Sequence, residues 1–78
     1  MGINKAEILD LLGLKCPLPA LYARRALERA APGATLVVLT DDPLAAIDLP
    51  HMCHQEGYLV VQSEKEGDTL RITLQRPA

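Results

Sequence analysis

The chain has two cysteines, and the first, Cys16, lies in Gly13-Leu14-Lys15-Cys16-Pro17-Leu18-Pro19. A residue before proline is pushed out of the helical region. The spacing therefore predicts a helix that opens here, with Cys16 as its N-cap and Pro17 as its first helical residue. The first four N–H groups of a helix lack intrahelical partners, so the N–H groups missing from Pro17 and Pro19 do no harm. Those of Leu18 and Ala20 are expected to point out of the helix end toward the Cys16 sulfur. Orphan N–H groups and the positive end of the helix dipole favour an anion. A thiol so placed, beside Lys15, is expected to have a lowered pKa and to act as a thiolate nucleophile. The two prolines also reduce the entropy lost in ordering the loop. A lone cysteine is more often a small buried hydrophobe, but the N-cap context favours the reactive reading.

Little else could complete a reaction. There is no Cys-x-x-Cys, no Gly-rich phosphate loop and no metal-ligand pair on a long helix. A reactive thiol without its own pocket suggests a carrier, which takes a group from one protein and hands it to another, the partner completing the site. The second cluster, His51-Met52-Cys53-His54, sets His51 and His54 at i, i+3. A zinc site there would need a fourth ligand, with Cys16 the only other thiol. The favoured reading puts Met52 and Cys53 in the core and both histidines on the surface, with no metal. Cys53 could pair with Cys16 under oxidation if their α-carbons approach within about 7 Å. Asp41-Asp42, followed by Pro43, reads as turn and cap chemistry rather than as a catalytic dyad. Arg24, Arg25 and Arg29 form a solvated helix face that could also dock an acidic partner near Cys16.

These residues need elements to position them. Glu7 to Leu12 reads as a first strand. Over Pro17 to Ala31, Ala20, Ala23, Leu27 and Ala30 recur on one helical face, with Ala26 beside them, and Pro32-Gly33 ends the helix. On the other face Arg24 and Glu28 are four apart and can pair. Thr35 to Thr40 is a continuous apolar run typical of a central strand. Asp42 is an N-cap candidate, with Pro43 at the first helical position. The helical stretch 43–56 contains Pro50, which costs about 3 kcal/mol inside a helix, so two short pieces are expected, the second opening at Asp48-Leu49-Pro50. Tyr58 to Lys65 is a strand, Glu66-Gly67-Asp68 a hairpin turn, and Thr69 to Arg76 a strand with Leu70, Ile72 and Leu74 inward. The order β-α-β-α-β-β, with a parallel βαβ unit and an antiparallel hairpin, predicts a two-layer α/β sandwich. Its mixed four-stranded sheet should carry both helices on one face.

Composition narrows the partners. At 78 residues, with 49% hydrophobic and 23% charged, the chain is read as one domain over 1–78, its core about 7–76. Net charge is −2, and Tyr22 and Tyr58 are the only aromatic residues. A single-strand nucleic-acid binder would want a basic groove with stacking rings, so no direct nucleic-acid binding is expected. No apolar run approaches the roughly 18 residues of a membrane span. The start, Met1 to Glu7, is too polar for a signal peptide, and Ala6 spoils a myristoylation pattern. A cytoplasmic protein, a monomer, is expected, and in that compartment two cysteines are read as thiols rather than a staple.

The chain resembles the TusA-like (SirA-like) sulfur-carrier family from about Ile8 to Gln75. The resemblance rests on Leu9-Asp10-Leu11-Leu12-Gly13-Leu14-Lys15-Cys16-Pro17-Leu18-Pro19, which matches the family's Cys-Pro-x-Pro signature. Pro32-Gly33, Thr40-Asp41-Asp42-Pro43 and Asp48-Leu49-Pro50-His51-Met52-Cys53 follow in family order. It implies a sulfurtransferase of the same two-layer fold, with sulfur carried as a persulfide on Cys16 and no other cofactor. A cysteine desulfurase or rhodanese would load it, and an acceptor protein, for example a DsrE-type relay protein, would unload it. Lys15, Pro17, Leu18 and Pro19 would shape the active loop, and Arg24, Arg25 and Asp48 would lie at the docking surface. Lys15 stands where tRNA-thiolating members resemble Arg, and Leu18 where they carry Glu. tRNA thiolation, cofactor sulfuration and dissimilatory sulfur oxidation stay open as pathways. Two other readings stay open as well: a thiol redox switch using Cys16 and Cys53, and a non-catalytic regulatory interaction module.

Overall fold

Leu36-Val37-Val38-Leu39 has no polar residue to face water, and the structure places it in the middle of a sheet. The structure is a computed structural model and describes residues 7–78. Met1 to Ala6, where the targeting reading falls, lie outside the described residues. The elements are β1 (Glu7–Asp10), α1 (Leu18–Arg29), β2 (Thr35–Thr40), α2 (Ala45–Glu56), β3 (Leu59–Glu66) and β4 (Thr69–Gln75). The sheet order is β1-β2-β4-β3. β1 runs parallel to β2, and the other two pairings are antiparallel. This is the mixed sheet expected from the element order, with β3 forming an edge.

Register decides which side chains are buried. Leu36 stands opposite Leu74, Val38 opposite Ile72 and Thr40 opposite Leu70, so these pairs share one face. That face meets Ala23 and Leu27 of α1 and Ala45, Leu49, Met52 and Cys53 of α2 in one core cluster. The other face carries Thr35, Val37 and Leu39 opposite Gln75, Thr73 and Arg71. The strict alternation of β4 reflects this: Ile72 and Leu74 are buried and Arg71 is exposed.

Several boundaries differ from expectation. β1 ends at Asp10 rather than Leu12, although the Leu11 N–H still donates to the Leu39 carbonyl at 2.8 Å. The chain then turns, with the Leu14 N–H bonded to the Leu11 carbonyl at 3.2 Å and Gly13 at φ +85°. A positive φ at the third turn residue requires glycine or its few substitutes. Open space surrounds the place where a Cβ would sit on Gly13, so backbone conformation is the constraint there.

Helix α2 runs unbroken through Pro50, where two pieces were expected. The carbonyl that Pro50 leaves without its helical donor belongs to Ala46, an exposed residue, where water can supply the bond. Leu49 on one side of Pro50 and Met52 and Cys53 on the other are all held in the core. Packing of both halves outweighs the local cost. At the far end Gly57 adopts φ +81°, and the N–H groups of Gly57 and Tyr58 both reach the Cys53 carbonyl.

Candidate active site

Cys16 reaches its place through three constraints. The Leu11–Leu14 turn reverses the chain after β1. The Gly13 N–H donates to Asp41 Oδ1 at 3.0 Å, and the Cys16 N–H donates to Asp42 Oδ2. Asp42 is buried, and its other oxygen accepts the Leu44 N–H at 3.2 Å. Sequence reasoning assigned this acidic pair to turn and cap work. The turn role is present, because Asp42 ties down the turn leading into α2, but the helix starts later than expected: Leu44, not Asp42, is its N-cap, and Ala45, not Pro43, its first residue. The pair also clamps the cysteine loop, a role for which no sequence signal existed, since the loop and the pair lie 26 to 28 residues apart.

The helix opening differs from expectation by one residue. Pro17, not Cys16, occupies the N-cap position, and α1 begins at Leu18 with Pro19 in its first turn. The Cys16–Pro17 peptide is cis. The Leu18 N–H donates to the Lys15 carbonyl at 2.8 Å, so it is not free for the sulfur. Pro19 is buried, and Leu18 is partly exposed.

The sulfur finds an acid instead of amides. The Cys16 thiol donates to Asp48 Oδ2 across 32 residues of sequence. That hydrogen bond raises the thiol pKa above its ordinary value, with smaller upward contributions from partial burial and from the charges of Asp48 and Asp42. This corrects the expected lowering. A neutral thiol bonded to a carboxylate is stabilised as the neutral form, and both nearby carboxylates repel a thiolate. Lys15 does not offset them. It lines a separate cleft with Thr40, Asp41, Lys65 and Asp68.

Cys16 opens onto a cleft of about 300 Å³ between the helices. Pro17, Ala20, Leu21 and Arg24 line it from α1 and its cap, and Asp48, His51, Met52 and Gln55 line it from α2. Each set has the i, i+3, i+4, i+7 spacing of one helical stripe, so the cleft is the seam where two helix faces meet. Asp48 was read near a docking surface from the resemblance, and it touches the cysteine itself. Arg24 ends the α1 stripe, its side chain 43% exposed and 3.8 Å from Glu28. Its Nε is shielded from solvent and has no hydrogen-bond partner among the described residues. Arg25 is exposed and outside the cleft lining. His51 and His54 are exposed, while Met52 and Cys53 are in the core. Among the described residues no cluster of His, Cys, Asp or Glu is placed to hold a metal. Cys53 is 1% exposed, and burial pushes its thiol up to about 11. No described helix is long and apolar enough to cross a membrane.

Comparison with known proteins agrees with this fold. The SirA-like protein of Desulfitobacterium hafniense has the same fold, with a TM-score of 0.78 and 29% sequence identity over 91% of this chain and 97% of that one. A family model, that of the sulfurtransferase TusA, matches residues 7–76, nearly all of the described chain. The chain therefore belongs to the TusA family, whose members carry sulfur between donor and acceptor proteins in a relay.

Proposed function

We propose that Cys16 is the sulfur-carrying residue. It takes sulfur as a persulfide from a donor of the cysteine desulfurase or rhodanese kind and passes it to the thiol of an acceptor protein. The observation that carries this reading is the placement of Cys16. It is a partly exposed thiol on a loop clamped by Asp41 and Asp42, at the end of an open interhelical cleft. A rigid loop at an open cleft presents the sulfur to a partner's cysteine without a large ordering cost at docking. The cycle uses only thiols and persulfides and calls on no metal or organic cofactor. Pro17, Leu18 and Pro19 shape the loop's exit into α1, and Lys15 supplies the carbonyl that receives the Leu18 N–H.

Arg24 and Arg25 are read as partner contacts. Arg24 faces the cleft with an unfilled donor, and exposed Leu18 and Leu21 flank the same helix end. Cations at such a rim mainly steer encounter with an acidic partner. The redox-switch reading is disfavoured by Cys53, which is buried in the core and is not among the residues lining the cleft.

The test is intact mass after incubation with thiosulfate-loaded rhodanese. Wild type and Cys53→Ala should gain one reducible sulfur atom, and Cys16→Ser should gain none while keeping the native circular dichroism spectrum. Loading of Cys16→Ser, or a loss of two hydrogens that needs both cysteines, would overturn the proposal.

A further inference from the structure

The thiol that must act as a nucleophile is held neutral by a hydrogen bond to a carboxylate, and that carboxylate faces the space where a donor's sulfur would enter. We propose that Asp48 is the proton relay of sulfur transfer, taking the proton from the Cys16 thiol and delivering it to the departing sulfur of the donor. This rests on Cys16 being the sulfur-carrying residue.

The geometry singles out Asp48 among the groups around Cys16. Asp42 approaches from the loop after β2, but its two oxygens are engaged by the Cys16 and Leu44 N–H groups. Arg24 on α1 lines the cleft and is a cation without proton-accepting capacity. His51, one turn along α2, lines the cleft but makes no hydrogen bond to the thiol. Lys15 and Lys65 line the other cleft. Asp48 alone bonds the sulfur, and it lies in the first turn of α2, where the helix dipole favours a negative charge.

The step balances without an oxidant. Asp48 Oδ2 accepts the Sγ proton. The freed electron pair on Sγ forms a bond to the outer sulfur of the donor persulfide. The donor's S–S bond breaks, its electron pair stays on the inner sulfur, and Asp48 returns the proton there. One thiol and one persulfide become one persulfide and one thiol. The upward pull on the Cys16 pKa fits this role, because it keeps the resting thiol protonated until a donor sulfur is in place. It also separates two reactivities: attack on a small electrophile needs only a thiolate, whereas transfer from a persulfide also needs a proton for the leaving sulfur.

Two rates test the relay, read in wild type, Asp48→Asn and Asp48→Glu: sulfur uptake from thiosulfate-loaded rhodanese, and alkylation of Cys16 by iodoacetamide against pH. Asp48→Asn should slow uptake about 100-fold, the lower range for a lost acid–base group, while its alkylation profile moves to lower pH. Asp48→Glu restores the carboxylate and should recover uptake to within about tenfold of wild type. Uptake by Asp48→Asn at the wild-type rate would overturn the relay and leave the carrier reading standing. Uptake and alkylation lost together would also overturn it, in favour of a structural role. Failure of wild type to load would sink the carrier reading itself.

Discussion

At the scale of single residues, Cys16 is governed by two aspartates with different work. Asp42 accepts the backbone N–H of Cys16, and Asp48 accepts its thiol. Removing the first should move the loop, and removing the second should change the chemistry. Asp42→Ala leaves the Cys16 and Leu44 N–H groups without their acceptor. Hydrogen bonds to a charged acceptor contribute about 1.5–3 kcal/mol each, so a loss of about 3–6 kcal/mol is expected for the two, read by urea denaturation. Because its pKa is raised, Cys16 should react with iodoacetamide at pH 7.5 more slowly than a thiol in an unstructured peptide. A faster rate than the peptide's would contradict the Asp48 bond. Arg24→Glu reverses a charge at the cleft without touching the thiol, so loading by rhodanese should slow at low salt and the difference should shrink as salt rises.

At the scale of elements, the ends of the helices carry more information than their middles. The C-terminus of α1 is capped from a distance: one guanidinium nitrogen of Arg76 reaches the carbonyls of Leu27, Glu28 and Ala30 at 3.3, 2.9 and 2.7 Å. The Leu27 carbonyl also accepts the Ala30 N–H at 3.2 Å, whereas those of Glu28 and Ala30 lie past the last helical donor, and a cation there also meets the negative end of the helix dipole. Arg76→Ala should therefore lower stability by about 1–3 kcal/mol, seen as a lower thermal midpoint with sulfur loading intact. The C-terminus of α2 is closed locally by Gly57 in the left-handed region. Gly57→Ala should lose about 1–2 kcal/mol, because a Cβ is disfavoured at that φ whatever the surrounding space. Helix α1 was legible from its apolar spacing, and the stretch holding α2 from the Asp42-Pro43 signal before it. The continuity of α2 was not, because Pro50 is tolerated through burial of Leu49, Met52 and Cys53 on either side of it, which no local pattern reports.

At the scale of the whole molecule, the core couples folding to the state of a buried thiol. Cys53 has its pKa raised from 9.0 to about 11 by burial. The unfolded chain loses that proton first as pH rises, so the folded state's advantage is fully present below about pH 9 and falls away between about pH 9 and pH 11. Thermal midpoints measured across that range should decline in wild type, and the decline should be shallower in Cys53→Ala. An equal slope in both would show that Cys53 does not control alkaline stability. The same burial makes Cys53 slow to alkylate until the domain unfolds, which separates its chemistry from that of Cys16 in one experiment.

Local chemistry and periodicity carried most of the fold. The apolar run of β2, the alternation of β4, the Gly67 turn and the helical stripe through Ala23 and Leu27 each have a short-range physical cause, and their order allowed few ways to close a sheet. The Cys-Pro-x-Pro stretch likewise marked Cys16 and pointed to the family. The electrostatic state of that cysteine depends on groups brought together only by folding. Asp48 lies 32 residues away and Asp42 lies 26 away. From neighbours along the chain, Lys15 and the helix end, a lowered pKa was the natural expectation. The tertiary structure turns Lys15 into another cleft and sets a carboxylate on the sulfur, because β2 and α2 return to the loop that β1 and α1 leave open. Interactions between charges fall off with distance in space, not along the chain, so the thiol's environment was decided by the packing of two helices and not by the residues beside it.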